Sequence, residues 1–284
     1  MMRLKENMDL GCLYIVATPI GNLDDMSFRA VDVLKQVDII LAEDTRHSKR
    51  LLVHYEIDTP LRAFHEHNEV QKTQAILQEL QAGKHLALIS DAGTPLISDP
   101  GYVLVREAKA AGYQVVPIPG ASALIAALSA SGLASDQFSF MGFLPAKQGA
   151  RIKALRAIVH LPATHIFYES PKRILASMQD LQSVLDEQRI VCLAKELTKS
   201  FETIKTGTTS ELLMYLQADE AHQKGEFVLL IAGAEQDDLS AGRTQLDQLL
   251  PILLAEMGAS KAAKLAAKIT GIDKKHCYQR ALEL

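Results

Sequence analysis

From residue 13 onward short apolar runs alternate with segments of helical period, which predicts βαβ units around a largely parallel sheet. LYIVAT (13–18) reads as the first strand, and Pro19–Asp25 as a turn-rich loop. Ser27 can cap a helix running to Lys35, after which VDIILAEDT (37–45) forms a strand that ends in charge. A helix over His47–His54, a short strand LRAF (61–64) and an amphipathic helix over Asn68–Gln81 follow. Two runs, Leu86–Ile89 and Val115–Ile118, read as buried parallel strands separated by a helix over Tyr102–Ala111. Each empties into a loop of Gly, Pro, Asp and Ser: SDAGTPLISDPG and PGAS. In open α/β sheets ligands collect outside the carboxyl ends of the strands, so these two loops predict the floor of a small-molecule pocket.

Gly120–Gly132 is small and apolar, suited to a helix packed closely between two layers. A second pattern then runs through FSFMGFL (138–144), a helix near 148–159, THIFYES (164–170), a helix over 172–185, RIVCLAKEL (189–197), ETIKTG (202–207), a helix over 210–217 and EFVLLIAG (226–233). The strands on either side of Thr198–Ser200 leave no room for a crossover helix and must pair antiparallel, so the second sheet is mixed. The polar stretch 234–245 reads as a linker, followed by helices over 245–258 and 260–271 and a last one from near Asp273. The expected organisation is α/β: a domain over 11–121 with a mainly parallel sheet, a second over 122–234 with a mixed sheet, and a helical region over 240–284.

The formal charge of −4 over 284 residues gives no overall basic field for nucleic acid. The tail reverses that sign, with six Lys or Arg against three acidic residues between Glu256 and Leu284. Cys12, Cys192 and Cys277 are far apart, odd in number and without CxxC spacing, which argues against a disulfide framework and a zinc site and for a reducing cytosol. The N-terminus lacks the apolar core of a secretion signal, and no run approaches membrane-spanning length. The expectation is a cytoplasmic protein with no membrane partner.

Several chemistries fall away. GxxxxGK[ST], GxGxxG, GxSxG and HExxH are all missing, which removes nucleoside triphosphate, dinucleotide, serine-hydrolase and zinc-protease readings. HEHNE (65–69) reads as a polar turn with Asn68 as helix cap rather than a metal site, and no metal is expected. Asp91, just past a buried strand, can accept hydrogen bonds from a ligand's hydroxyl or ammonium group. Asp99 in SDPGY reads instead as the cap of the next helix, with Pro100 at its first position. Ser122 either caps a helix or offers its hydroxyl and the helix-start N–H groups to a carboxylate. Glu43, Asp44, Arg46 and His47 form a charged cluster on the same rim, and Glu169 and Glu196 end strands beside Lys172, Arg173 and Lys195.

In order, ATPIGNLDD, EDTRHSKRLL, SDAGTPLISDPG, PIPGAS, FYESPKR and AKELTK resemble the signatures of the bacterial 16S ribosomal RNA cytidine-2′-O-methyltransferases, a branch of the tetrapyrrole methylase superfamily. The resemblance covers about residues 12–234, and the C-terminal helices resemble that family's tail. It implies a homodimeric two-domain enzyme that holds S-adenosylmethionine between its domains and acts on 16S ribosomal RNA of the small subunit. Carried over by position, the donor's contacts are Pro19, Asp91, Gly93, Thr94, Ser122 and Ala123, with Leu193, Ala194 and Ala232 across the cleft. Glu43, Asp44, Arg46, Glu169, Lys172, Arg173, Lys195 and Glu196 would face the RNA. The candidates for the base that deprotonates the 2′-hydroxyl are Glu196 and Lys195, then Glu169. The tail resembles a helix-turn-helix whose Lys261, Lys264, Lys268, Lys274, Lys275 and Arg280 meet RNA phosphates, or else form the solvated face of a packing helix. A tetrapyrrole-precursor C-methyltransferase is the alternative activity; it would need an apolar, arginine-lined cleft.

Overall fold

A computed structural model describes residues 10–66, 68–234, 238–270, 272 and 274–284. The N-terminal stretch read for a secretion signal, His67 of HEHNE, part of the polar stretch after Ala234 and Asp273 lie outside the described residues in whole or in part. The chain divides into two compact units, one of Met1–Val159 and Ala163–Ala232, the other of His160–Pro162 and Gly233–Leu284.

In the first unit, β1 (Cys12–Val16), β2 (Ile39–Ala42), β3 (Leu61–Ala63), β4 (Leu86–Ile89) and β5 (Gln114–Ile118) form an all-parallel sheet in the order β3-β2-β4-β1-β5. Helices α1 (Phe28–Gln36), α2 (Thr45–His54), α3 (Glu69–Gln81) and α4 (Tyr102–Ala110) make its crossovers. The period-2 alternation of strands sorts their apolar residues onto both faces. Ile40, Ala42, Ala87 and Ile89 meet Leu34 of α1 and Leu51 of α2, whereas Leu41, Leu86 and Leu88 meet Ile76 of α3 and Leu104 of α4. With both faces covered, every strand-end loop is forced to an edge. The carboxyl edge gathers the loops after β1, β2, β4 and β5.

Helix α4 starts differently from the sequence expectation. Its N-cap is Gly101, at φ 128°, and no side chain of its own segment caps it. Glu69, in the first turn of α3 and 8 % exposed, reaches over instead and accepts the N–H groups of Gly101 (3.1 Å), Val103 (2.8 Å) and Leu104 (3.3 Å). The unsatisfied donors of a helix start can be met by a remote carboxylate as well as by a local one. Asp99 is thereby released from capping and turns to the carboxyl edge. Asn68 stands at the N-cap of α3 but does not cap it; its Oδ1 accepts the His65 N–H at 3.0 Å.

Helix α5 (Ala123–Ser131) leads to a five-stranded mixed sheet of β6 (Phe138–Phe143), β7 (Thr164–Glu169), β8 (Ile190–Lys195), β9 (Thr203–Thr208) and β10 (Phe227–Ile231), in the order β6-β7-β10-β8-β9. β8 and β9 pair antiparallel, as their short connection requires, and β10 runs antiparallel to both β7 and β8. One face of this sheet packs on α6 (Gln148–Ile158), α7 (Ile174–Val184) and α8 (Thr209–Ala218). The other packs on α5 and on Ile20 from the loop after β1, so the two sheets share one apolar cluster. They also touch through backbone: the Asn22 N–H donates to Thr198 Oγ1 at 3.1 Å. A Cβ on Gly21 would stand 2.8 Å from that oxygen and 3.0 Å from the Leu197 carbonyl, so only glycine allows the approach.

The second unit carries α9 (Asp238–Glu256), α10 (Ala259–Thr270) and α11 (Lys274–Glu283), whose Leu246, Leu250, Ala262, Ala263, Ala266 and Cys277 form its core. Helix α9 begins inside the stretch read as a linker. Polarity alone does not end a helix, and it continues through Pro251. Among the described residues no helix is long and apolar enough to cross a membrane.

Candidate active site

The loops at the carboxyl edge of the first sheet are tied into one rigid assembly. Thr18 and Gly93 exchange both backbone hydrogen bonds, at 2.9 and 3.0 Å. Thr94 Oγ1 donates to the Ala121 carbonyl at 3.1 Å, which fixes the loop after β4 to the loop after β5. The Asp44 N–H donates to Asp91 Oδ1 at 3.0 Å, which adds the loop after β2. Within the loop after β4, Leu96 (φ 73°) and Ser98 (φ 72°) occupy the left-handed region. Such residues cost about 1 kcal/mol or more each and persist only where their surroundings hold them, commonly at functional sites.

Between this edge and the second sheet lies a cleft of about 490 Å³, within the ~300–1,000 Å³ of small-molecule sites. Its floor is Asp91, Gly93, Thr94, Ser98, Asp99, Ser122 and Ala123; its roof is Phe143, Tyr168, Glu169, Leu197, Phe227 and Val228. Ser122 stands at the N-cap of α5 without using its side chain as a cap, so the helix-start N–H groups and the hydroxyl remain available to a ligand. The charge in the cleft is of one sign. Glu43, Asp91, Asp99, Glu169 and Glu226 line it, and no Lys, Arg or His does among the described residues. Burial pushes the Asp99 carboxyl up to about 6, with a Ser90 hydrogen bond opposing and Asp91 adding to the rise. Burial also raises Glu43, helped by Asp99 and Asp91. Clustered carboxyls that resist ionising together form a site prepared for a cation.

Not every residue expected at a site reaches this cleft. Asp91, Gly93, Thr94, Ser122 and Ala123 do. Pro19 lines a neighbouring cavity of about 350 Å³ that shares Ile20, Asp91, Ala92 and Glu226 with the cleft. Leu193 points to the opposite face of the sheet, into the core with α6, α7 and α8, and Ala194 is covered by α5. Ala232 follows the carboxyl end of β10, a strand that runs antiparallel to its neighbours. It therefore stands ~16 Å along the strand from Phe227, which lines the cleft. The amino end of β10 faces the cleft, which Phe227 and Val228 line.

The three proton acceptors drawn from the sequence are heavily engaged. Glu169 lines the cleft but accepts from the Ser170 N–H, Ser177 Oγ and two nitrogens of Arg173, all at 2.6–2.8 Å. Lys195 donates to the Ala221 carbonyl at 2.8 Å. Glu196, at φ 51°, accepts from the Glu226 N–H and from Lys199 Nζ. Burial would raise it, but these two hydrogen bonds together with the charges of Lys199 and Lys195 outweigh burial and hold it below the usual carboxylate range. Asp99 is less engaged, with a side-chain hydrogen bond to Ser90, and the capping signal that drew it to α4 is fulfilled by Glu69.

Asp44 caps α2 and pairs with Arg46 at 3.3 Å on the surface, while Lys172 is exposed. In the second unit Lys261, Lys264, Lys268 and Lys274 are exposed, and Arg280 is tied to Asp247 at 2.6 Å and Glu283 at 2.8 Å.

The sequence profile of the tetrapyrrole (corrin/porphyrin) methylases matches residues 12–213, and that of the RsmI C-terminal HTH domain matches residues 240–284. The ribosomal RNA small subunit methyltransferase I of Pseudomonas aeruginosa is 52% identical over 278 residues, 97% of this chain and 98% of that protein. The protein of that name from Escherichia coli O157:H7 is 52% identical over 275 residues, 96% of this chain and 95% of its own. Among solved structures, a uroporphyrin-III-C-methyltransferase from Thermus thermophilus superposes with a TM-score of 0.55 at 16% identity, over 78% of this chain and 94% of that one, a likeness of fold. The chain belongs to the tetrapyrrole methylase family, in the group of the ribosomal RNA small subunit methyltransferases I.

Proposed function

We propose that the protein methylates the ribose 2′-hydroxyl of a cytidine in the 16S RNA of the small ribosomal subunit, with S-adenosylmethionine as donor, acting in the cytoplasm as a homodimer. The donor half is supported by the cleft's carboxyls: Glu169 and Glu226 are paired with Arg173 and Lys199, whereas Glu43, Asp91 and Asp99 face the cleft without a salt bridge among the described residues and are complementary to a ligand bearing sulfonium and ammonium charges. The acceptor half rests on the relatives' names and near-complete coverage. A tetrapyrrole acceptor is not favoured, because the relatives that match nearly the whole chain are named for ribosomal RNA.

When bound, S-adenosylmethionine supplies a methyl group on a positive sulfur that leaves as a neutral thioether. The protein's tasks are therefore alignment and removal of a proton from a weakly acidic hydroxyl. Asp91 and Glu43 hold the cationic donor, with Gly93, Thr94, Ser122 and Ala123 around it and Pro19 at the border with the next cavity. Asp99, with a pKa of about 6, accepts the proton near neutrality. Glu169, Lys195 and Glu196 act as positioning residues: Glu169 orders the FYESPKR loop, Lys195 ties the end of β8 to the Ala221 carbonyl, and Glu196 fixes the turn after β8 through Lys199 and the Glu226 N–H. Lys172, Lys261, Lys264 and Lys274 meet RNA phosphates, while Asp44 and Arg46 shape the rim. Arg173 serves there through Glu169.

Asp99 also sets the pH dependence of donor binding. Its pKa in the fold lies above the ordinary 3.8, so its contribution to stability is fully present below that value and is lost as pH rises through about 6. A bound cation offsets that loss. The rise in melting temperature on adding S-adenosylmethionine is expected to be larger at pH 7 than at pH 5. With S-adenosylhomocysteine, which lacks the sulfonium charge, the difference between the two pH values should shrink. Equal shifts at both pH values for both ligands would remove the acidic cluster from donor recognition.

A further inference from the structure

The cavity that shares Asp91 with the cleft is of mixed charge. About 350 Å³ in volume, it adds to Asp91 and Glu226 the side chains of His47 and Arg50 of α2 and of Lys199, which pairs with Glu226 at 2.8 Å and Glu196 at 3.0 Å. Its wall holds one feature that the fold does not explain. Ser48 is 3 % exposed, its N–H donates to the Asp44 carbonyl as a helical residue should, and its hydroxyl has no hydrogen-bond partner. A serine or threonine inside a helix ordinarily turns its hydroxyl back to the carbonyl four residues earlier. Thr73 does so to Glu69 and Thr270 to Ala266, both at 2.8 Å. An orphaned buried hydroxyl costs stability unless a ligand satisfies it.

We propose that this cavity receives one ribose-phosphate unit of the acceptor RNA, with Ser48 Oγ hydrogen-bonding it and Arg50 balancing its charge beside Lys199, which Glu196 and Glu226 share. The inference rests on the methyl-transfer reading above and adds the acceptor's place to it. The common wall of Ile20, Asp91, Ala92 and Glu226 puts a sugar in this cavity beside a donor in the cleft, its 2′-hydroxyl directed past that wall toward Asp99, which lines the cleft alone. Reacting atoms must come within ~3–3.5 Å, which two adjoining chambers permit, the second differing from the first by the cations Arg50 and Lys199 in its wall. The volume suits a single nucleotide unit and not a length of duplex.

Ser48→Ala and Arg50→Met separate the possibilities, with KM for small ribosomal subunits, Kd for S-adenosylmethionine by calorimetry, and the melting temperature of the ligand-free protein as readouts. Each substitution is expected to raise KM for RNA about tenfold, the loss of one charge-assisted hydrogen bond, and to leave donor Kd unchanged. Ser48→Ala should melt at or above the wild-type temperature, since it removes an unsatisfied group. A lower melting temperature with unchanged KM would make Ser48 a packing residue and overturn the proposal, as would unchanged KM in both variants. Wild-type protein that binds the donor yet methylates no RNA would fail the functional reading itself, and this inference with it.

Discussion

Asp99→Asn is expected to lower the single-turnover rate of methyl transfer at saturating donor and RNA by ~10²-fold or more, the usual worth of a positioned proton acceptor. Asparagine keeps the shape and loses the basicity. For wild type, kcat/KM should fall on the acid side of about 6, the pKa that burial and Asp91 give this carboxyl. A cation bound beside it favours the ionised form, so the limb in kcat should lie lower than the limb in kcat/KM. Asp99→Asn should abolish both limbs while raising the melting temperature of the ligand-free protein at pH 8, because a reluctant buried charge is gone. A wild-type rate in Asp99→Asn would return the proton to Glu169, Lys195 or Glu196.

The second large effect concerns stability. Asp180→Ala is expected to destabilise the protein by ~3–5 kcal/mol and lower its melting temperature by roughly 10 °C. Asp180 in α7 receives Arg151 Nε and NH2 of α6, both at 2.7 Å, and Gln148 at 2.8 Å, with the two charged side chains 4–5 % exposed. Arg151 also donates to the carbonyls of Pro145 and Ala146. Truncating the aspartate strands the guanidinium with only neutral partners. Joint replacement by Arg151→Met and Asp180→Leu should recover most of the loss, since a buried pair stabilises little over well-packed apolar groups. A melting temperature within a degree or two of wild type for Asp180→Ala would show that water reaches the guanidinium.

Much of the fold was legible because periodicity is a local property. The runs at Leu86–Ile89 and Phe227–Ile231 are buried on both faces, and the interruptions between strands fall where crossovers or turns must lie. The floor of the cleft was legible for the same reason: SDAGTP and PGAS follow parallel strands, whose carboxyl ends face ligands. What failed were features set by distant partners. Asp99 carried every local sign of a helix cap, yet Glu69, thirty residues earlier, takes the N–H groups. Leu193 and Ala194 lie in a wholly apolar run, where alternation does not say which face each residue takes; helices on both sides decide it. Ala232 was carried over by position from the family resemblance, and the direction of β10 sets it at the strand end away from the cleft. Ser48 gave no signal, because an unsatisfied hydroxyl exists only once the helix around it has formed.

The central claim, a cationic methyl donor in the acidic cleft acting on a ribose of small-subunit RNA, is tested most directly by transfer of labelled methyl groups from S-adenosylmethionine. Small ribosomal subunits, naked 16S RNA and a porphyrin precursor are offered in parallel, with Asp91→Asn as the cleft variant. Label is predicted only in RNA, at a cytidine whose 3′ linkage has become resistant to alkaline hydrolysis, and its incorporation should collapse in Asp91→Asn. Label in the porphyrin precursor, in a base rather than a ribose, or undiminished in Asp91→Asn would contradict it.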